Sequence, residues 1–234
     1  MLVPKGRCAT LAQRVPRAKR RRCVTFVGLI CDSPAMQRVL PQFLVGNAVT
    51  FKAREMEALR AACPDNVVLI RQKSAWNNDQ LMAKIVQRLA VVLAPYMAAA
   101  QPILLFDAAP CHLNGRVLSR GRHVVDCAML AGRVFRACEA ARIWPCVIPP
   151  KLTWRLQPLD THCFLSFKST LQQIYQRRRA TTSHGEVETP LFLQCVYETI
   201  RRVMNGRAWR HAFEHNDPTR AGRPAHGCEH SDGY

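Results

Sequence analysis

The chain has 234 residues, a length suited to one domain with tails. Its 34 lysines and arginines against 16 acids give a formal net charge of +18, a field that favours DNA or RNA as partner. No stretch reaches the roughly 18 apolar residues of a membrane span, no apolar signal-peptide core follows the first charges, and the 11 scattered cysteines contain no Cys-x-x-Cys pair, so they read as reduced thiols and small core residues. A coding bias toward Arg and Ala produces the same charge without any polyanion, and that alternative stays open on composition alone.

In chain order, residues 1–22 form a basic segment ending in Arg20, Arg21 and Arg22, readable as a nuclear localisation signal, a phosphate-contacting arm or the solvated edge of the next strand. Cys23–Cys31 is β-branched and aromatic and predicts a strand, Asp32-Ser33-Pro34 a turn, and Arg38–Val45 a returning strand that makes a hairpin. Pro41 inside that run predicts an edge position or a bulge. Phe51–Ala62 has helical composition, Val67–Arg71 is a short strand, and Asn77 or Asn78 caps a helix running to about Ala94, with Leu81, Ile85, Leu89 and Val92 at helical spacing. Ile103–Phe106 is a continuous apolar run, as in a buried central strand, and Asp107 closes it. A helix over Val124–Ala141, a strand over Cys146–Ile148, a helix from Asp160 toward Gln176 and a last helix over Pro190–Met204 complete the domain, residues 23–215. The arginines 177–179 suit the C-terminal end of their helix. The segment after Asn216 is rich in Gly, Pro, His and charge and reads as a disordered tail, residues 216–234. Strands followed by alternating helices and strands fit an α/β mixed sheet.

Two carboxylates stand in defined backbone contexts: Asp107 at a strand end, followed by Ala108-Ala109-Pro110-Cys111-His112, and Asp160 in Gln157-Pro158-Leu159-Asp160 at a helix start. Brought together, such acids hold a divalent cation through oxygen ligands. The segments PILLFDAAPCH and VIPPKLTWRLQPLDTHCFLSFKSTL, the latter including Phe167-Lys168, resemble the DDE superfamily of endonucleases, in the branch of pogo, Tigger and jerky transposases and the centromere protein B group. The resemblance extends over most of residues 20–215. It implies an RNase H-like mixed sheet flanked by helices, with opening strands antiparallel and later ones parallel. It further implies metal-dependent phosphodiester hydrolysis and strand transfer on DNA, Mg²⁺ or Mn²⁺ as cofactor, and a nuclear location. Asp107 matches the second family acid and Asp160 the third. The first has no counterpart, since residues 1–22 contain no Asp or Glu, and the chain reads as starting after the family's first strand. Asp32 lies in the expected hairpin turn and is a poor substitute.

The 52 residues between Asp107 and Asp160 exceed the family spacing, which an insertion around Leu113–Val134 explains. Asp126 stands nearer that spacing but lacks the strand and Pro-His context of Asp107. Lys151, Arg155 and Lys168 are expected near the acids as phosphate contacts or as plain surface cations. His112 reads as orienting a phosphate or water, or as a hydrogen-bonded loop histidine. Trp76 and Trp154 stack on bases or, by default, pack in the core. Cys111, His112, His123 and Cys127, like His226, Cys228 and His230, fit no usual structural zinc spacing. Three functions remain: a transposase-derived DNA-binding domain impaired in catalysis, an active nuclease whose first acid lies upstream, and a structural or interaction protein. No small-molecule ligand or membrane is expected.

Overall fold

The computed structural model describes residues 24–113, 132–149, 151–181 and 189–216. These form a mixed α/β structure. Five strands divide into two sheets: β1 (Val24–Val27), β2 (Gln42–Asn47) and β3 (Val67–Gln72) in one, β4 (Ile103–Asp107) and β5 (Trp144–Ile148) in the other. β1 runs antiparallel to β2, β2 parallel to β3, and β4 parallel to β5.

The central strand β2 carries Phe43 and Val45 on one face and Leu44 on the other, all three buried. Two cores explain this continuous apolar run. Phe43 and Val45 pack with Leu81, Ile85 and Leu89 of helix α3 (Asp79–Leu93) and with Val134, Phe135 and Cys138 of α4 (Arg133–Ala140). Leu44 packs on the opposite side with Val67 and Leu69 of β3, with Phe167 of α6 (Phe164–Ala180), and with Leu193 and Val196 of α7 (Thr189–Thr199). The first core also takes Phe106 of β4, with Val27, Leu104 and Val147 at its margin, so both sheets lie over α3 and α4. The helices α3 and α4 are pinned by Arg133 against Asp79 at 3.5 Å. Phe26 of β1 stacks on Phe167 with ring centroids 4.5 Å apart, which fixes the start of α6 against the first sheet.

Several elements differ from the sequence expectation. The connection from β1 to β2 is no tight hairpin: β1 ends at Val27, and the one-turn helix α1 (Pro34–Gln37), capped by Ser33, intervenes. Side chains stand in for the missing strand ladder. Gln42 binds both backbone groups of Leu29, at 3.0 and 2.9 Å, and the Gln37 carbonyl oxygen accepts from the Cys31 amide. Pro41 does not put β2 at an edge, because the strand begins one residue later and is the middle strand of its sheet. The helix expected from Phe51 starts with a 3₁₀ turn at Ala53–Glu55 and becomes α2 (Met56–Ala61), because Phe51 itself is fully buried against Gly46. A Cβ on Gly46 would lie 2.4 Å from the Phe51 ring, so only glycine fits there. Asn78 caps α3, its side chain accepting from the Leu81 amide at 2.8 Å. The last helix is α7, which continues into a π-helical turn at Ile200–Asn205 and is followed by α8 (Arg210–His215). The helix expected over Val124–Ala141 is α4 within the described residues, and its positions 124–131 lie outside them. No described helix is long and apolar enough to cross a membrane.

Candidate functional site

Strand β4 ends at Asp107, and the chain then turns sharply. The Asp107 side chain accepts from the Ala109 amide at 3.2 Å, and the amides of His112 and Leu113 bond back to the Ala109 carbonyl. Leu113, fully buried in the first core, anchors this turn. The imidazole of His112 therefore folds back on the strand end. Its Nδ1 lies 2.8 Å from the Asp107 carboxylate and 2.9 Å from the Asp107 backbone oxygen. The ring packs against Phe106, centroid to centroid 5.0 Å, and Phe106 in turn meets Phe135 edge-on.

Chemically this is an ion pair. Burial alone would lower the His112 pKa, but hydrogen bonding to Asp107, with a smaller contribution from Cys111, overrides it and pushes the value up to about 10. The hydrogen bond from His112 holds Asp107 below the usual carboxylate range, against the opposing effect of burial. His112 is thus a charged partner of Asp107, the hydrogen-bonded histidine of the two sequence readings.

Asp160 arrives from the other side. Pro158, buried, opens a π-helical turn at Leu159–Cys163 that leads into α6. Proline suits this first turn because its missing N–H has no helical partner there. Leu159 and the fully buried Cys163 face the second core, which leaves Asp160 exposed. The amides of Asp160 and Thr161 both donate to the Gln157 carbonyl, at 3.0 and 3.1 Å. Burial and the charge of Asp107 raise the Asp160 pKa, while Lys168, two turns along α6, pulls it down. Asp160 therefore senses the charge of Asp107 across the 52 residues that separate them in sequence. Beside them the Gln157 side-chain oxygen is buried with no hydrogen-bond partner among the described residues.

Of the expected basic contacts, Lys168 shares the field of Asp160. Lys151 is exposed in a left-handed turn (φ 70), and Arg155 is exposed on the one-turn helix α5 (Thr153–Leu156). Arg20, Arg21 and Arg22 lie outside the described residues, as do Asp126, His123, Cys127 and the tail cysteine and histidines. Asp32 sits in the β1–α1 connection and accepts from the Cys31 thiol at 3.3 Å. Trp76 and Trp154 are not core residues: they are 81% and 71% exposed, because each sits on a short segment that no layer of the described residues covers.

The sequence reading missed a polar cluster next to Asp160. His162 meets His211 and His215 edge-on, with centroids at 5.8 and 5.1 Å. Asn216 joins them, bonding His162 at 3.2 Å and donating to the Thr161 hydroxyl at 2.8 Å. About fifty residues separate its two halves, and no local spacing announces it.

Among the described residues, no group of three His, Cys, Asp or Glu side chains is placed to hold a metal ion. Two acids, one already paired with His112, fall short of the donor set that a two-cation phosphoryl-transfer centre needs. Comparison with known protein families, curated proteins and solved structures gave no match.

Proposed function

We propose that the chain is a transposase-derived, DDE endonuclease-like domain of RNase H-like type that binds DNA and is impaired in cleavage. The observation that carries this reading is the convergence of Asp107, from a strand end, and Asp160, from a helix start, close enough for one charge to shift the other. That is the pairing the sequence resemblance assigns to the second and third metal carboxylates. The reading of impairment rests on the first family acid, for which the resemblance finds no counterpart, and His112 adds to it. Its imidazolium neutralises Asp107 through a 2.8 Å contact, so a cation entering there would displace an existing ion pair before it gained a ligand. Mg²⁺ or Mn²⁺ is the cation two such acids favour, and with these donors no cleavage step is assigned to it.

Binding follows from charge. A net charge of +18 concentrates phosphate ligands at the surface, and Lys168, whose charge acts on Asp160, together with the exposed Lys151 and Arg155 supplies the backbone contacts of this reading. A nuclear location accords with that partner. Fluorescence anisotropy with a labelled duplex tests the reading. Affinity is expected to fall steeply between about 50 and 200 mM salt, and the triple variant Lys151→Gln/Arg155→Gln/Lys168→Gln is expected to reduce the slope of log K against log salt by about 2 to 3. An affinity indifferent to salt would refute DNA binding.

A further inference from the structure

Between Glu139 and Asp160 the chain carries no acid, and its cations there are Arg142, Lys151 and Arg155. Lys151 and Arg155 bound a five-residue stretch just ahead of the Asp160 turn, in which Lys151, Leu152, Trp154 and Arg155 are all exposed. Trp154, at 71%, stands furthest into water. Its place is set by ordered backbone. The amides of Leu156 and Gln157 donate to the carbonyls of Leu152 and Thr153, at 2.8 and 3.0 Å, and the Leu152 amide donates to the Pro149 carbonyl at 3.2 Å. Buried Pro158 then closes the segment. A large aromatic side chain, of the kind that packing ordinarily covers, is thus held out in solvent by a fixed turn. Among the described residues no ring packs on Trp154, and neither Lys151 nor Arg155 has an ion-pair partner. Trp76 and Trp144 are exposed as well, yet neither has a cation on both sides within four residues.

We infer that Trp154 is a stacking platform for an unpaired base, so that the DNA bound beside Asp160 is held as a single strand or at a nucleotide lying outside its duplex stack. The inference deepens the DNA reading and rests on it. The chemistry divides between two kinds of group. The indole face covers one face of a base, which any of the four bases offers, and Lys151 and Arg155 on either side take the phosphates that flank it. Inside an intact duplex both faces of each base are already covered by its neighbours, so the platform has a partner only where a base is unstacked. Phosphate contacts alone require the two cations and give no reason for an ordered indole between them. The complement of an exposed aromatic set among cations is an anionic chain that carries flat rings.

The experiment measures anisotropy of the full chain with three labelled probes of equal length: a DNA single strand, the matching duplex, and an abasic strand that keeps the phosphates without the bases. Wild type is expected to bind the single strand more tightly than the abasic strand. Trp154→Ala is expected to weaken single-strand binding by about 5- to 150-fold, and to leave the affinities for duplex and abasic strand unchanged. The salt slope should not move, because no charge is lost. Trp154 is exposed, so the substitution leaves the fold intact, and Trp154→Phe, which keeps a ring, should recover most of the loss. Trp144→Ala, which removes an indole 66% exposed on strand β5, should change none of the three affinities. Salt-sensitive binding of all three probes that Trp154→Ala leaves unaltered overturns the platform while the DNA reading stands. An equal loss for duplex and single strand overturns the requirement for an unpaired base, and an equal loss in Trp144→Ala overturns the assignment to Trp154. Binding of none of the probes overturns the DNA reading itself.

Discussion

In the β1–β3 sheet the middle strand is buried on both faces, with Leu44 and Val45 fully inaccessible. In the β4–β5 sheet one face meets α3 and α4, and the other is open to solvent at its Ile103 end: Ile103 and its cross-strand partner Trp144 are 61% and 66% exposed, and Cys146 is exposed on the same face. Alternation along β4 puts Asp107 on the same face as Ile103 and Leu105, at the end where that face is covered, since its cross-strand partner Ile148 is buried. The first sheet is therefore the stability element. The second is a thin shelf whose value lies in presenting Asp107. The two share a core through Phe43, Val45 and Phe106, yet among the described residues β1 and β4 each keep an unpaired edge.

The sharpest break of this comparison is Leu44→Ala. It opens a cavity between two cores and is expected to destabilise by about 2–5 kcal/mol in urea unfolding. Gly46→Ala comes next. Its new methyl meets the Phe51 ring, and a cost of about 1–3 kcal/mol is expected by the same measurement. A third variant, His112→Gln, sits between the two regimes and acts through pH. His112 has a raised folded pKa, so its contribution is full below its ordinary value of 6.5 and is lost as pH rises toward about 10. Asp107 has a lowered pKa, so its contribution holds above its ordinary 3.8 and is lost as pH falls below it. The stability gap between wild type and His112→Gln should accordingly be widest between about pH 4 and 6.5, near 1 kcal/mol given the partial exposure of Asp107, and should close toward pH 10. A gap independent of pH would mean that the pair is not ionic. The smallest effect is expected from Ile103→Thr on the open face, within about 0.5 kcal/mol. A loss as large as that of Leu44→Ala would show that the face is covered.

Much of the fold is legible in the sequence where periodicity or a cap dictates it. The Asn78 cap and the Leu81–Ile85–Leu89 stripe follow from local rules and appear in place; the apolar run before Asp107 does form a strand, but not the buried central one its composition predicts, because among the described residues it pairs only with β5 and Ile103 is 61% exposed. Features that depend on distant partners are not legible. The one-turn helix between β1 and β2 exists because buried Gln37 and Gln42 satisfy the backbone of Leu29 and Cys31, a role no local pattern marks. Residue type alone places Trp76 and Trp154 inside, but burial depends on whether a second layer covers the segment. At the acid pair, both carboxylates and His112 stand out in the sequence. The ion pair does not, because it arises from Leu113 anchoring the turn after Asp107. The histidine cluster beside Asp160 draws on α8 and is equally invisible.

The central claim is DNA binding without metal-dependent cleavage, and a nicking assay on supercoiled plasmid with Mg²⁺ or Mn²⁺ tests it most directly, run beside Asp107→Ala and Asp160→Ala and beside salt-dependent binding. Wild type is expected to bind in a salt-sensitive way, with nicking no greater than that of either variant. Nicking by wild type that both substitutions abolish would contradict the claim and would require a third metal ligand.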